Sequence, residues 1–262
     1  MYRGTYQPMN HTNTNNTSKQ WLQCLTIYGR KSCEEALLDN TLQVEKLHLA
    51  DSNKPAGIIK NCIQLAEKRG IEVNYHGKRE LSFISKNAKQ DQGIALDIYS
   101  PKLSTLGELS PDKHQNILLL DNITNPQNIG MIIRSVAAGF IDALVIPEKG
   151  CAALGPLVIK ASTGTIFKAP IIRCRTTEEA LEVISPQYTV ASLDLTANTE
   201  FYDYTFHEPS CLVLGNETNG VGNAVKKAAN TALRIDMNNE VESLNVAVTA
   251  ALIAFHPALR KV

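Results

Sequence analysis

Apolar positions along the chain follow two different periods, and segments of the two kinds take turns. Residues 44–49 alternate apolar and polar side chains, which is typical of a half-buried strand. Residues 58–69 bring an apolar side chain every three or four positions, which predicts a helix that ends at Gly70. Because strand-like and helix-like segments alternate through most of the chain, the sequence predicts an α/β fold.

Breaks in this pattern divide the chain into two units. Residues 1–20 are rich in Asn and Thr and offer little to bury, so we expect a disordered tail there. Residues 21–99 predict a small α/β unit. Residues 100–115 contain Pro, Ser and Gly and predict a linker. Residues 116–262 predict a larger α/β unit, in which a parallel sheet is covered by helices on both faces.

Composition excludes several classes of protein. Apolar residues make up 44% of the 262 residues, which is enough for a real core, yet no apolar run reaches the roughly 18 residues of a membrane span. The start of the chain lacks the order of charges and apolar residues that marks a secretory signal. The six cysteines form no Cys-x-x-Cys pair. We therefore expect a cytoplasmic protein with reduced thiols, no metal and no membrane attachment.

Charge is balanced overall and uneven locally. The chain has 26 basic and 26 acidic residues, so its formal net charge is zero. Residues 54–89 carry eight Lys and Arg against three Glu, a local excess of +5. This segment is either an RNA-binding surface or an ordinary solvated face, and charge alone does not decide between them.

Segments with unusual chemistry follow the predicted strands of the second unit, where α/β proteins bind ligands. The first, residues 120–130, is a loop dense in amide side chains that includes Asn128, and Arg134 follows six residues later. A surface arginine on an amphipathic helix is the ordinary interpretation. Its neighbours Ile133 and Val136 are apolar, however, which predicts a partly buried side chain that has a task.

Two further segments follow later strands. One strand ends at Gly215, where a ligand can approach the backbone closely. The glycine spacing after it does not match a dinucleotide-binding loop, and Glu217 is either a general base or a structural acceptor for loop amides. The last segment predicts a closely packed helix of small residues over 243–256, with Ser243 as its N-cap.

In their order along the chain, these segments resemble the three motifs of the SpoU (TrmH) family in the SPOUT class of RNA methyltransferases. The matching patterns are Asn128-x-Gly130-x-x-x-Arg134, Gly215-x-Glu217-x-x-Gly220 and Ser243-Leu244-Asn245-Val246-Ala247. The similarity covers about residues 117–256. The smaller upstream unit resembles the substrate-binding domain found in the ribosomal RNA branch of this family.

The resemblance implies a SPOUT domain with a deep trefoil knot, preceded by a small RNA-binding domain. It implies a homodimer formed through the knot. It also implies transfer of a methyl group from S-adenosylmethionine to a ribose 2′-hydroxyl of RNA, with guanosine in ribosomal RNA as the expected target.

The resemblance further implies a role for nine residues. The backbone contacts to the cofactor are expected at Gly215, Ile235, Met237 and Leu244. The expected catalytic set is Arg134, which helps to activate the hydroxyl, and the residues that organise the pocket around it, namely Asn128, Glu217, Ser243 and Asn245.

Three rival functions differ from this one in the RNA target, in having no catalysis, or in the cofactor. A transfer RNA methyltransferase would use the same site on another RNA. A non-catalytic RNA-binding or ribosome assembly factor would share the fold, but it would have no reason to keep Arg134 and Asn245. A dinucleotide-dependent enzyme is disfavoured by the glycine spacing.

Overall fold

Two sheets, one mixed and one parallel, organise the chain. The structure is a computed structural model that describes residues 24–87, 90–99, 103–207, 209–216 and 218–260. The expected disordered tail, residues 1–20, lies outside the described residues. None of the described helices combines the length and the apolar character that a membrane span needs.

The first unit is a four-stranded mixed sheet with helices on both faces. Its elements are β1 (Cys24–Tyr28), α1 (Arg30–Leu38), β2 (Val44–Ala50), α2 (Gly57–Lys68), β3 (Glu72–His76), α3 (Lys78–Ser85) and β4 (Ile94–Tyr99). The strand order is β1-β4-β2-β3, and only β2 and β3 run parallel. Leu37 and Ile59 bury α1 and α2 against Leu47 on one face, while Leu81 packs α3 on the other.

The second unit is an eight-stranded parallel sheet. Its strands are β5 (Ser104–Thr105), β6 (Asn116–Leu120), β7 (Ala143–Pro147), β8 (Ile171–Cys174), β9 (Thr189–Leu193), β10 (Thr199–Glu200), β11 (Ser210–Leu214) and β12 (Thr231–Arg234). Its helices are α4 (Pro126–Ala138), α5 (Pro156–Ala161), α6 (Thr177–Ile184), α7 (Asn223–Ala228) and α8 (Val246–Ala254). Short 3-10 turns span Leu106–Glu108, Thr165–Phe167 and Pro257–Leu259.

The central strand β6 supplies side chains to two separate cores. Leu118 and Leu120 join the core beneath α4, α5 and α8, whereas Ile117 and Leu119 join the core beneath α6 and α7. Successive side chains of a strand point to opposite faces, so a strand that is apolar at every position must be covered twice. The expected α/β fold with a doubly covered parallel sheet is confirmed.

The order of the large sheet, β10-β12-β9-β11-β6-β7-β8-β5, reverses direction around β6. From β6 the chain builds outward to β7 and β8, and it then returns to add β9, β11 and β12 on the other side. The loops after β6 and β11 therefore leave the sheet in opposite directions. Such a reversal opens a crevice at the carboxyl ends of the strands.

Two expectations about local structure need correction. Part of the expected linker, residues 100–115, belongs to the second unit, because β5 pairs with β8 and Leu106 and Leu109 are buried in its core. The final helix begins at Val246 rather than at Ser243. The side chain of Asn245 accepts a hydrogen bond from Ala247 N and so provides the N-cap.

A polar junction fastens the two units to each other. Lys168 forms an ion pair of 2.6 Å with Glu35 of α1. Lys160 of α5 donates a hydrogen bond of 2.7 Å to the carbonyl of Gln90, and its ammonium lies 5.4 Å from the centre of the Tyr28 ring. The first unit is therefore attached on the side of the second unit where α5 lies.

A chain of hydrogen bonds crosses the sheet of the first unit. His48 is buried, and its ring nitrogens lie 3.0 Å from His76 Nε2 and 3.1 Å from Asp97 Oδ2. Thr26 donates to the other Asp97 oxygen at 2.6 Å. Burial alone would raise the pKa of Asp97, but the hydrogen bonds from His48 and Thr26 outweigh it, and the net shift of this pKa is downward.

We expect this carboxylate to contribute to acid sensitivity. Because the pKa of Asp97 in the folded state lies below its ordinary value of 3.8, ionised Asp97 stabilises the fold above that pH. The contribution is lost as the pH falls through the folded-state pKa. The loss of melting temperature between about pH 5 and about pH 3 should be smaller in Asp97→Asn than in wild type. Asp51→Asn, at an exposed carboxylate, is the control, and equal acid sensitivity of all three proteins would contradict the assignment.

Candidate active site

A cavity of about 280 Å³ lies at the carboxyl ends of β9, β11 and β12. Its walls come from the segments that follow these strands and from the segment before α8, mainly residues 193–196, 214–216, 233–235 and 243–244. The four residues expected to contact a cofactor, Gly215, Ile235, Met237 and Leu244, all line this cavity, as does Ser243. Residues that are distant in sequence thus meet at one place.

The wall after β11 is a tight turn that starts at Gly215. Asn216 and Gly220 exchange backbone hydrogen bonds of 3.0 and 2.9 Å, and the Asn216 side chain accepts a further bond from Thr218 N. The turn folds back so closely that a Cβ at position 215 would lie 2.5 Å from Val221 N. Only glycine fits there without displacing the turn.

Buried Asp121, at the end of β6, holds this region together. One carboxylate oxygen accepts a hydrogen bond of 2.7 Å from Gly222 N, in the loop after β11. The other accepts one of 2.8 Å from the Thr177 hydroxyl at the start of α6. A single acidic side chain therefore links the ends of two strands and a helix. No role was predicted for Asp121, although its position directly after a buried strand indicated a functional or structural task.

The segment between β12 and α8 crosses the cavity in irregular conformation. Strand β12 ends at Arg234, so Ile235 and Met237 lie beyond the ladder and against the cavity. Within the described part of the chain, the backbone groups of Met237 and Leu244 make no hydrogen bond. Their donors and acceptors are free to serve a ligand.

Asn245 connects this segment to the first motif. Besides capping α8, it donates a hydrogen bond of 3.2 Å from Nδ2 to Asn128 Oδ1 on α4. Asn128 is buried, and α4 packs directly against α8. The two amides therefore form a polar contact between α4 and the start of α8, although the two residues are 117 positions apart in sequence.

The loop after β9 forms another wall of the cavity, and it was not among the segments singled out from the sequence. Asp194 lines the cavity, and hydrogen bonds from the backbone N–H and the hydroxyl of Thr196, of 2.9 and 2.7 Å, lower the pKa of Asp194. Arg234 fixes the same loop by donating to the carbonyls of Ala197 and Asn198 at 2.9 and 2.7 Å. Its position was a signal, since Asp194 directly follows β9 and ligands bind at the carboxyl ends of parallel strands.

Arg134 departs from expectation. Its apolar neighbours predicted partial burial, but the side chain is exposed on α4, on the same face as Gln127 and Met131. At 100° per residue, Ile133 and Val136 turn into the core while Arg134 turns outward. Arg134 does not line the cavity and has no hydrogen bond or ion pair in the described parts of the chain. Glu217 lies outside the described residues.

Comparison with protein families agrees with this geometry. Residues 115–255 match the model of the SpoU rRNA methylase family, which is more than half of the chain. The chain belongs to the SpoU family. Residues 26–103 match a second model, described as RNA 2′-O ribose methyltransferase substrate binding. The two matches together identify a SpoU-family RNA 2′-O-ribose methyltransferase with an N-terminal substrate-binding domain.

Individual relatives match most of the length of this SpoU-family chain. YacO of Bacillus subtilis, named as a TrmH family tRNA/rRNA methyltransferase, is 28% identical over 235 residues, which cover 87% of this chain and 93% of YacO. The AviRb methyltransferase of Streptomyces viridochromogenes, solved with AdoMet, superposes with a TM-score of 0.74 at 22% identity, covering 90% of this chain and 89% of AviRb. An RNA 2′-O ribose methyltransferase structure gives 0.75 at 23% identity, with 90% and 88% covered. These structures share the fold.

Asn245 should stabilise the SpoU domain through two separable contacts. Asn245→Ala removes the helix cap and the bond to Asn128, so we expect the free energy of unfolding to fall by about 1–2 kcal/mol. Asn245→Asp keeps the capping oxygen and loses only the donor to Asn128, so its loss should be smaller. Denaturant unfolding measures both. Equal stability of wild type and Asn245→Ala would contradict the assignment.

Proposed function

We propose that this SpoU-family enzyme methylates a ribose 2′-hydroxyl in ribosomal RNA, at guanosine, with S-adenosylmethionine as the methyl donor. The observation that carries the proposal is the convergence of Gly215, Ile235, Met237 and Leu244 on one cavity at the strand ends. The ribosomal target is supported by the family description and by the presence of a substrate-binding domain.

The cavity fits a nucleoside-containing cofactor. Leu193, Leu214 and Leu244 supply apolar walls for a flat base. Backbone groups of Met237 and Leu244, which make no hydrogen bond to any described residue, supply donors and acceptors. Asp194 places a carboxylate with a lowered pKa at the same wall, where it complements positive charge on a ligand. Most ligand sites combine apolar walls with a few fixed polar groups in this way.

When bound, the cofactor supplies an electrophilic methyl group on a sulfonium. The RNA 2′-oxygen must approach that carbon in line with the bond that breaks, and the hydroxyl proton must leave, so alignment contributes much of the acceleration. An arginine side chain is a poor general base. The exposed guanidinium of Arg134 instead suits the binding of an RNA phosphate and the stabilisation of charge on the hydroxyl oxygen.

Asn128 and Asn245 hold α4 and the cavity segment in register, which fixes the path from Arg134 to the methyl group. Ser243 lines the cavity beside Leu244, and Glu217 remains a proposed member of the pocket.

A homodimer and a trefoil knot belong to the same proposal. Apolar side chains are exposed on both helices that flank the Asn128–Asn245 contact, with Met131 on α4 and Val248 on α8 each more than 40% exposed. A second copy covering these helices would bury this apolar surface and would bring Arg134 near the subunit interface. Threading of the segment between β12 and α8 past the loop after β11 is the expected knot crossing.

Arg134→Ala should separate chemistry from cofactor binding. We expect methyl transfer to fall by about 100-fold or more, because a charge-stabilising donor is lost, with the affinity for S-adenosylmethionine unchanged. Incorporation of labelled methyl groups into RNA and calorimetric titration of the cofactor measure the two effects. Gln127→Ala, on the same exposed face of α4, is the matched control. Methylation by Arg134→Ala at the wild-type rate would refute its role.

Gly215→Ala tests the cavity itself. The added methyl group would collide with the backbone at Val221 and push the turn after β11 out of place. We expect the affinity for S-adenosylmethionine to fall by about tenfold or more, because every 1.4 kcal/mol lost in binding is one factor of ten. Gly107→Ala, where a Cβ would meet only the Thr105 hydroxyl at 3.9 Å, controls for the substitution. Unchanged cofactor affinity in Gly215→Ala would argue against this cavity as the cofactor site.

The RNA target is tested by mapping 2′-O-methyl sites in ribosomal and transfer RNA from cells with and without the protein. The proposal expects a ribosomal guanosine that loses its methyl group when the protein is absent. Loss of a transfer RNA site alone would move the function to that substrate. Absence of any lost site, together with no transfer in vitro, would favour an assembly factor.

A further inference from the structure

A second cavity, of about 740 Å³, lies in the first unit and is open to solvent. It is bounded by the start of α1, the end of β2, the start of α3 and the turn at residues 91–93. Three cationic side chains line it, Arg30, Lys31 and Lys78, against a single carboxylate, Asp91. Amide and hydroxyl side chains of Ser52, Asn53 and Gln92 also line it, together with the apolar Ala50, Ile58 and Leu81. We call this cavity the basic cleft.

The charges in the basic cleft are not equally available. Lys31 is already paired with Glu34 and Glu35, at 3.0 and 3.1 Å. The carboxylate of Asp91 accepts hydrogen bonds from Gly93 N and the Ser85 hydroxyl, which hold it within the fold.

The remaining two cations, Arg30 and Lys78, are exposed to solvent. Arg30 uses only Nε, which donates to the Gln92 carbonyl at 3.3 Å, and its terminal nitrogens are free within the described chain. Lys78 has no hydrogen bond or ion pair to any described residue. Two exposed cations that form no ion pair in the described chain, on different elements of one cleft, favour an extended anion that reaches both.

The floor of the basic cleft is fixed by hydrogen bonds. The Gln92 side chain accepts from Arg30 N at 2.9 Å, and Asn53 donates to the Gly93 carbonyl at 2.6 Å. Gln92 itself adopts a φ of 56°, an uncommon conformation for a residue with a side chain. The backbone that carries Arg30 and the turn at residues 91–93 is therefore fixed before a ligand arrives, which lowers the entropic cost of binding.

The basic cleft lies beside the route to Arg134. Lys160 of α5 contacts Gln90, two residues before Gln92, and thus joins the cleft to α5. Helix α5 packs closely on α4 at Gly130, where a Cβ would lie 2.7 Å from the Val158 carbonyl. Arg134 is four residues further along α4, about 6 Å along the helix axis and on nearly the same side.

We propose that the basic cleft binds the sugar–phosphate backbone of the substrate RNA, and that α5 forms the surface over which the strand reaches Arg134. This inference rests on the proposed function, because it assigns a path to the RNA of that reaction. Backbone contacts of this kind set position and orientation and carry no sequence information, so they suit a domain that delivers a strand to a distant site.

Arg30→Ala/Lys78→Ala is the principal test, with a ribosomal RNA fragment that the wild-type protein binds. We expect the affinity for RNA to fall by about tenfold or more, and the slope of log K against log salt to become shallower by about 1–2, as two phosphate contacts are lost. The KM for RNA should rise with little change in kcat. The affinity for S-adenosylmethionine should stay at the wild-type value.

Two further variants control for a general loss of positive charge and for a folding defect. Lys60→Ala/Lys68→Ala removes two exposed cations of α2 that do not line the basic cleft, and it should leave the salt slope unchanged. Lys78→Glu reverses a charge at the first residue of α3, where a carboxylate suits the helix start, so weaker RNA binding in this variant is not a folding defect.

Unchanged RNA affinity in the double variant, or an equal loss in the α2 control, would overturn the basic cleft as the RNA site. RNA binding that depends on the cleft, in a wild-type protein that methylates no RNA, would support the cleft and overturn the proposed function instead.

Discussion

The close packing of α4 against its two neighbouring helices is the constraint from which the site follows. At Gly130 the backbone of α4 approaches α5 so closely that no side chain fits, and further along Phe140 N donates 2.7 Å to the Ala254 carbonyl at the end of α8. Helix α8 allows this close approach because its buried residues include small alanines such as Ala247 and Ala250. Larger side chains would separate the helices, and the Asn128–Asn245 contact would be lost with them.

Regular elements position the site, but irregular backbone builds it. The strands end at a common edge, and the groups that line the cavity belong to the turn after Gly215, the segment through Met237 and the loop at Asp194. A ladder uses its own donors and acceptors, so only backbone beyond the ladder has groups left for a ligand. Asp121 and Arg234 compensate by fixing these segments through side-chain hydrogen bonds. Precision at the site therefore depends on residues that do not need to touch a substrate.

The sequence predicted where helices and strands form better than it predicted the residues at which they begin and end. Periodicity located β2 and α2 because burial on one face leaves a clear pattern over several residues. It misplaced the cap of α8, since Ser243 and Asn245 are both good capping residues and only the backbone bend selects Asn245. It also misjudged Arg134, because apolar neighbours in sequence do not share its face of the helix. The contacts between units, such as Lys168 with Glu35, left no local signal at all.

An enzyme that acts on RNA needs positive charge to attract phosphates, yet this chain is neutral overall. The distribution of its ion pairs explains how both can hold. Glu35 pairs with both Lys31 and Lys168, so these two lysines have their charge compensated and offer little to a phosphate. Arg30, Lys78 and Arg134 have their charged ends free in the described chain. What an anion encounters is the set of cations without partners and not the net count. A balanced protein can therefore present a positive path, provided that its acidic residues are committed elsewhere.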